Sequence, residues 1–265
     1  MCNDEGIVLD IFQKLKKYQF LFRELVHRDF TKKYKRTILG IAWSALSPML
    51  TLLVMNIVFG TLLGSNIEHY TIYLFSGQLI FSFFSDSTNE GMTSLLDNAD
   101  IFTKINVPKY MFLLSKNVSS LINFGITLII YFLFVIINGI PITWKFVLLL
   151  FPICCLVIFN LGIGLILSAL YVFFRDIQYL YSIFTLLLMY LSAIFYSIDE
   201  FPDFGRNLYL LNPIYMYIRY FRKIVIEGTI PSEWFHLLAA GYAIVALVIG
   251  SWIYKKKKHS FLYYV

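Results

Sequence analysis

Five stretches of this chain run for about 20 residues or more with almost no charge inside them, the length an α-helix needs to cross a bilayer. They are Ile38 to Leu63, about Ser119 to Ile137, Phe146 to Phe174, Gln178 to Ile198 and Phe235 to Tyr254. Backbone in lipid must satisfy its own hydrogen bonds, so these runs are read as spanning helices and the fold class as an all-α integral membrane protein. Composition agrees: 59% of side chains are hydrophobic and 14% are charged, against roughly 45–50% and ~25% in soluble domains. A soluble enzyme, a disordered tail and a disulfide-stapled secreted module are thereby excluded. The 265 residues leave no polar block long enough for a second folded domain.

A sixth stretch, Tyr70 to Ser85, is short and runs into the polar DSTNEGM. Parity includes it, because the Lys/Arg-rich N-terminal segment and the run Lys255 to Lys258 both favour the cytoplasm and so require an even number of spans. The cytoplasmic side then holds the nine Lys/Arg before Ile38, Lys104, Lys109, Lys116, Arg175 and the four terminal lysines. Lys145, Arg206, Arg219, Arg222 and Lys223 fall outside. The net charge of +6 is thus accounted for by topology, and no nucleic-acid partner is implied. The expected organisation is a cytoplasmic interfacial segment over 1–37, a six-helix transmembrane domain over 38–254 and a basic cytoplasmic tail over 255–265. No cleavable signal peptide is expected, since the first thirty residues carry many charges and no apolar h-region.

Two segments are neither spans nor ordinary loops. Between Leu9 and Phe30, apolar residues recur at Ile11, Phe12, Leu15, Tyr18, Phe22, Leu25, Val26 and Phe30 with basic residues between them, the pattern of an amphipathic helix. Such a helix is expected in the interface, its Lys and Arg on anionic headgroups and its Phe face in the acyl boundary; the alternative is a soluble helix packed on a partner. From Phe204 to Ile226 the chain is too apolar for a free loop, yet carries four cations and a helix-breaking Asn212-Pro213. Two short re-entrant helices on the outer side are expected there, the alternative being an amphipathic surface loop.

The chemistry of catalysis is missing. No GxxxxGK[ST] occurs to cradle nucleotide phosphates, the four histidines give no metal spacing, and there is no GxSxG. Cys154 and Cys155 are adjacent in an apolar run and Cys2 is distant, so they read as small apolar fillers. Asp86 and Glu90, four residues apart where the second span leaves the membrane, and Lys116 near the start of the third, read as an ion pair or a solvated end rather than a proton relay. On the first span Ser44, Ser47 and Thr51 lie within about 60° of one another, a polar stripe that suits either helix packing or the lining of a conduit. On the fifth, Tyr181, Phe184, Phe195 and Tyr196 project to one half and Tyr179 and Tyr190 to the other.

Four segments in order, RDFTKKYKRTILGIAWSALSPMLTLLVMNIVFGTLLGSN (28–66), YLFSGQLIFSFFSDSTNEGMTSLLDNADIFTKINVPKYM (73–111), LILSALYVFFRDIQYL (165–180) and YLLNPIYMYIRYFRKIVIEG (209–228), resemble the transmembrane subunit of polysaccharide-exporting ABC transporters. That group serves O antigen, capsule and teichoic acid. The resemblance implies a homodimer in the bacterial cytoplasmic membrane, with a central conduit for a polymer on a polyprenyl lipid. It also implies two separate ATP-binding cassette subunits that bind ATP and Mg, so that this chain itself holds no cofactor and no metal and is not an enzyme. The segment Asp97 to Lys104, with Asn98 and Asp100, resembles the family's coupling helix, and Arg175-Asp176 its second cytoplasmic contact. Here Asn98-Ala99 is followed by Asp100-Ile101-Phe102-Thr103-Lys104, where typical members carry a more basic pair. The conduit is expected to be lined by Ser44, Ser47, Thr51, Tyr181, Phe184 and Phe195, with Tyr179 and Tyr190 packed behind. A lipid or drug efflux permease of the same fold is the alternative; a polyprenyl-sugar enzyme has only the Asp97/Asp100 pair to offer.

Overall fold

The computed structural model describes residues 16–63, 67–198, 201–257 and 261. Cys2, the Leu9 to Leu15 part of the expected amphipathic face and Lys258 lie outside the described residues. Among those described, the chain folds into ten α-helices joined by turns and short 3₁₀ segments, with no strand. They are α1 (Gln19–Tyr34), α2 (Trp43–Leu63), α3 (Tyr70–Thr93), α4 (Ala99–Phe102), α5 (Tyr110–Ile137), α6 (Leu150–Phe173), α7 (Ile177–Leu191), α8 (Asp203–Tyr209), α9 (Pro213–Val225) and α10 (Glu233–Lys257).

Four helical segments are long and apolar enough to cross a membrane: Gly40–Gly60, Tyr110–Ile137, Trp144–Phe173 and Glu233–Lys257. The two remaining expected spans fall short for different reasons. Helix α3 has the length, 24 residues, and continues through DSTNEGM rather than ending before it. Its lower apolarity reflects its place at the centre of the bundle, where Ser76, Ser87 and Thr88 are wholly buried in protein rather than exposed to lipid. Helix α7 has only 15 residues and stops at Leu191 instead of Ile198. Beyond it the chain turns through Ser192 and Ala193, the latter with φ +47°, a left-handed conformation that a β-carbon makes costly.

Aromatic rings from α3 fill the core. Phe75 meets Tyr131 and Phe134 edge-on at 5.4 and 5.6 Å, Phe83 lies 4.6 Å from Phe124, and Phe84 lies 6.0 Å from Phe159. Lipid tails are as apolar as these side chains, so close packing rather than exclusion from water holds such helices together. Glycine provides the closest approach: a β-carbon at Gly162 of α6 would fall on the backbone of Ala246 in α10, and one at Gly250 on the carbonyl of Gly162. The two helices therefore touch backbone to backbone.

Helix α1 departs from the lipid-facing expectation. Leu25 is buried, and Tyr18, Leu21 and Phe22 pack with it on a second cluster built from Leu95, Phe102, Phe112, Leu165 and Tyr254. Phe20, 77% exposed, is a large ring that α1 leaves uncovered. Protein wins because Asp29, one turn beyond Leu25, finds its charge partners there.

The Asn212-Pro213 break falls where expected. The Asn212 side chain accepts from Ile214 N at 3.0 Å and Tyr215 N at 3.4 Å, capping α9, while Pro213 starts the helix at a position that needs no N–H. Helix α9 is buried along most of its length, including Arg222, so it is core and not a surface loop.

Candidate conduit and coupling site

A short 3₁₀ turn, Leu96–Asn98, and α4 form the link between α3 and α5. Phe102 and Val107 anchor this segment in the second apolar cluster, with Phe102 packed 6.1 Å from Phe112. Of the four residues of this segment expected to meet an ATPase, Asp97, Asp100 and Lys104 are exposed, together with Thr103 and Ile105. Asn98 is buried: its Nδ2 donates to the Ser94 carbonyl at 2.8 Å and its Oδ1 accepts from Arg28 at 2.7 Å. Asp97 sits at the edge, where Oδ2 accepts from Thr93 Oγ1 at 3.0 Å and pairs with Lys116 Nζ at 3.3 Å. The segment thus has an outward face and an inward tether, a division that its alternating polar and apolar letters do not reveal.

Charged residues of α1 complete the tether. Asp29, its carboxylate 1% exposed, pairs with Arg28 at 2.7 Å and with Lys116 at 3.7 Å and accepts from Ser115 Oγ at 3.0 Å. One turn later Lys33 Nζ lies 3.3 Å from Asp86 and 3.2 Å from Glu90, and Ser120 donates to the other Glu90 oxygen at 3.3 Å. Burial lowers the pKa of the Lys33 ammonium, but the charges of Asp86 and Glu90 outweigh it and hold it above the ordinary lysine value. Spacing alone identifies Asp86 and Glu90 as a pair and misses their partner. A signal for that partner is nevertheless present in the four-residue spacing of Asp29 and Lys33, which sets one acid and one base on the same face of α1.

Between α1, α2, α3 and α5 lies a cavity of about 450 Å³. Ser44, Ser47 and Thr51 line one wall, Gln78, Ser82 and Asp86 a second, and Ser120, Asn123 and Thr127 a third, with Lys33 and Tyr34 at the end of α1 closing it. Rings are interleaved with these polar groups: Trp43, Phe75, Phe83 and Phe124. Tyr34 donates to Asn123 Oδ1 at 2.9 Å and Gln78 to Ser82 at 2.9 Å, while Gln78 Oε1 and Asn123 Nδ2 have no hydrogen-bond partner among the described residues. A wall of hydroxyls, carboxamides and ring faces, with its charges at one end, can form weak multiple contacts to a hydroxylated ligand.

The fifth-span residues do not join that wall. Tyr181 is buried, its hydroxyl donating to Thr88 Oγ1 at 2.6 Å. Phe195 lies past the end of α7, buried against Phe59 at 4.5 Å, so it shares no helical face with Tyr181. Phe184, Tyr179 and Tyr190 are exposed on the single chain, at 50%, 65% and 53%. The Tyr190 ring nevertheless lies 6.0 Å from that of Phe195, within this same subunit. Arg175 and Asp176 are both exposed; the guanidinium sits 5.8 Å above the Tyr171 ring, and Asp176 stands at the N-terminus of α7, where the helix dipole favours a negative charge. Cys154 and Cys155 are free thiols, and no cluster of potential metal ligands occurs among the described residues.

Known proteins resemble this chain over nearly its whole length. The family described as "ABC-2 type transporter" matches residues 20–226. The O-antigen export system permease protein RfbA of Myxococcus xanthus is 28% identical over 258 residues, covering 96% of this chain and 98% of its own. RfbA of Klebsiella pneumoniae is 28% identical over 247 residues, covering 91% and 95%. The polysialic acid transport protein KpsM of Escherichia coli is 23% identical over 239 residues, covering 89% and 92%. With nearly all of α1 through α9 inside the matched region, the chain belongs to the ABC-2 type transporter membrane family.

Proposed function

We propose that this chain is the membrane permease of an ABC exporter that moves a polysaccharide across the bacterial cytoplasmic membrane. The observation that carries the substrate class is the likeness, over nearly the whole of both chains, to permeases of O-antigen and polysialic acid export. The cavity supports it chemically. A sliding sugar chain needs a wall offering many weak contacts, because a few tight, residue-specific ones would arrest it.

In this reading α2, α3, α5, α6, α7 and α10 are six spans with both termini cytoplasmic, and α8 and α9 form the non-spanning pair on the outer side. The α2 hydroxyls Ser44, Ser47 and Thr51 face the polymer's path, together with the exposed ring of Phe184 in a homodimer. Tyr181 and Phe195 support that path from behind. ATP and Mg belong to two separate ATP-binding subunits, which dock on Asp100 and Lys104 of the α4 segment and on Arg175-Asp176. Polymer arrives on a polyprenyl lipid.

The test is deletion of the gene in its host. Surface polysaccharide should disappear while lipid-linked polymer accumulates on the inner face of the membrane, and both should revert on complementation. Unchanged surface polymer with loss of a lipid or drug efflux activity would replace the substrate class.

A further inference from the structure

We propose that Lys116 is a positioning residue of the transport cycle: one buried ammonium, shared by Asp97 of the candidate coupling segment and Asp29 of α1, that ties movement of the first to movement of the second. The inference rests on the reading of the Asp97 to Lys104 segment as the ATPase contact.

The contacts form a closed circuit. From Asp97 the chain of partners runs to Lys116 at 3.3 Å, to Asp29 at 3.7 Å, to Arg28 at 2.7 Å and back to Asn98 at 2.7 Å. Two bases and two acids balance, and two adjacent residues of the link between α3 and α5 are bound to two adjacent residues of α1. The acids are not equivalent. Asp29 is 1% exposed and cannot trade its partners for water, whereas the Asp97 side chain is 37% exposed and can. The Lys116 side chain, 10% exposed, needs a counter-charge at all times. When the coupling segment shifts, Asp97 can release the ammonium, and Asp29 remains as its salt-bridge partner. A change at the ATPase contact is thereby converted into a pull on α1.

That pull reaches the cavity. One turn beyond Asp29, Lys33 is clasped by Asp86 and Glu90, and Lys33 and Tyr34 line the cavity wall with Thr37 after them. Helix α1 offers an acid to α5 and a base to α3, so it is tied to two of the helices that line the cavity. A structural ion pair alone would not require one lysine to serve two elements, one of which carries the exposed docking face.

The test uses the full chain assembled with its ATPase in membranes. A single cysteine at Thr37, in a background with the three native cysteines replaced, is labelled with a water-soluble maleimide, with and without a non-hydrolysable ATP analogue. The labelling rate should differ by about fivefold or more between the two states, the lower range of a typical coupling between sites. Lys116→Met and Asp97→Asn should each abolish the difference, and Lys116→Arg should retain it. A persistent difference in Lys116→Met, no difference in the parent, or loss of the difference in Lys116→Arg would overturn the proposal. Should Lys116→Met fail to insert, Asp97→Asn, at the exposed edge, decides the same question. Asp100→Lys and Lys104→Glu separate the two readings: if they keep the difference while Lys116→Met loses it, the docking assignment falls and the Lys116 link stands.

Discussion

Arg222 shows most sharply how far a single residue can depart from its sequence context. Counted along the chain, it is one of four cations in a loop outside the membrane, and nothing in its neighbours says otherwise. In the fold it is 2% exposed. Nη1 donates to the Ala193 carbonyl at 2.9 Å, Nη2 to those of Tyr73 and Ile194 at 3.1 and 3.2 Å, and Nε to Ser76 Oγ at 3.3 Å. The guanidinium also lies over the Tyr73 ring. Guanidinium is the one cation with enough donors in a fixed fork to satisfy this many carbonyls at once. It therefore holds the irregular chain after α7 against α3, at the point where Ala193 adopts its left-handed conformation. Replacing Arg222 with Met takes the guanidinium donor from the Ala193 and Ile194 carbonyls, while that of Tyr73 keeps Ser76 Oγ at 2.8 Å; a buried carbonyl left unsatisfied costs about 1–3 kcal/mol. Arg222→Met should lower the thermal unfolding midpoint in detergent markedly, and Arg222→Lys should recover little of it, because an ammonium has three donors and no planar fork. Equal stability of wild type and Arg222→Met would mean that water fills the arginine's place.

Among the helices, legibility follows the environment each one meets. Helices long and apolar enough to cross a membrane, α2, α5, α6 and α10, are plain in the sequence because a bilayer demands long uninterrupted apolarity. Apolarity alone ends α3 too early, since a helix enclosed by protein can carry Ser, Thr and Asn wherever neighbours accept them. The same criterion carries α7 too far: seven apolar or small residues follow Leu191, and the groups that hold them outside the helix, the Arg222 clamp and the Tyr70 and Tyr73 hydroxyls on the Phe195 and Tyr196 carbonyls, are remote in sequence. The Asn212-Pro213 break is legible because capping and proline geometry are local. The contact of α6 with α10 is not, because neither Gly162 nor Gly250 signals a partner by itself. Any side chain at Gly250 meets the carbonyl of Gly162 and must push the two backbones apart. Overpacking of this kind usually costs about 1–3 kcal/mol, and more where backbone is the obstacle. Gly250→Val should thus reduce the amount of folded permease recovered from membranes, while Gly241→Val, on the same helix with open space at its β-carbon, should not. Equal recovery of the two variants would show that α10 can tilt away without loss.

For the whole molecule, a single chain leaves apolar faces exposed among its described residues on several helices, α2 and α7 among them. On α2, Leu50, Leu53, Val54 and Ile57 are exposed; on α7, so are Tyr179, Ile183, Phe184, Leu187 and Tyr190. Which of these meets lipid, polymer or a second subunit is set by assembly, and that is why the site is only partly legible: periodicity groups residues by face but names no neighbour. Helical angle groups the α2 hydroxyls together, and they do border the cavity. The same rule groups Tyr181 with Phe184, yet the Tyr181 hydroxyl finds Thr88 and turns into the bundle of its own chain. Labelling decides what each face meets in the assembled exporter. With α2 hydroxyls along the polymer path, Ser47→Cys and Thr51→Cys should react with a water-soluble maleimide and the adduct should block surface polymer, while Leu53→Cys, about 120° from Ser47 around the helix, should remain unreactive. If Phe184 faces the same path, Phe184→Cys should react during turnover and Phe184→Ala should slow export of long polymer more than it lowers ATP hydrolysis. Tyr181→Phe should leave export per ATP unchanged and cost about 1 kcal/mol of stability through the lost hydrogen bond. A reagent that reaches Tyr190→Cys and never Phe184→Cys would turn α7 about its axis relative to the dimer, placing Tyr179 and Tyr190, whose hydroxyls add hydrogen bonding to ring stacking, on the polymer side.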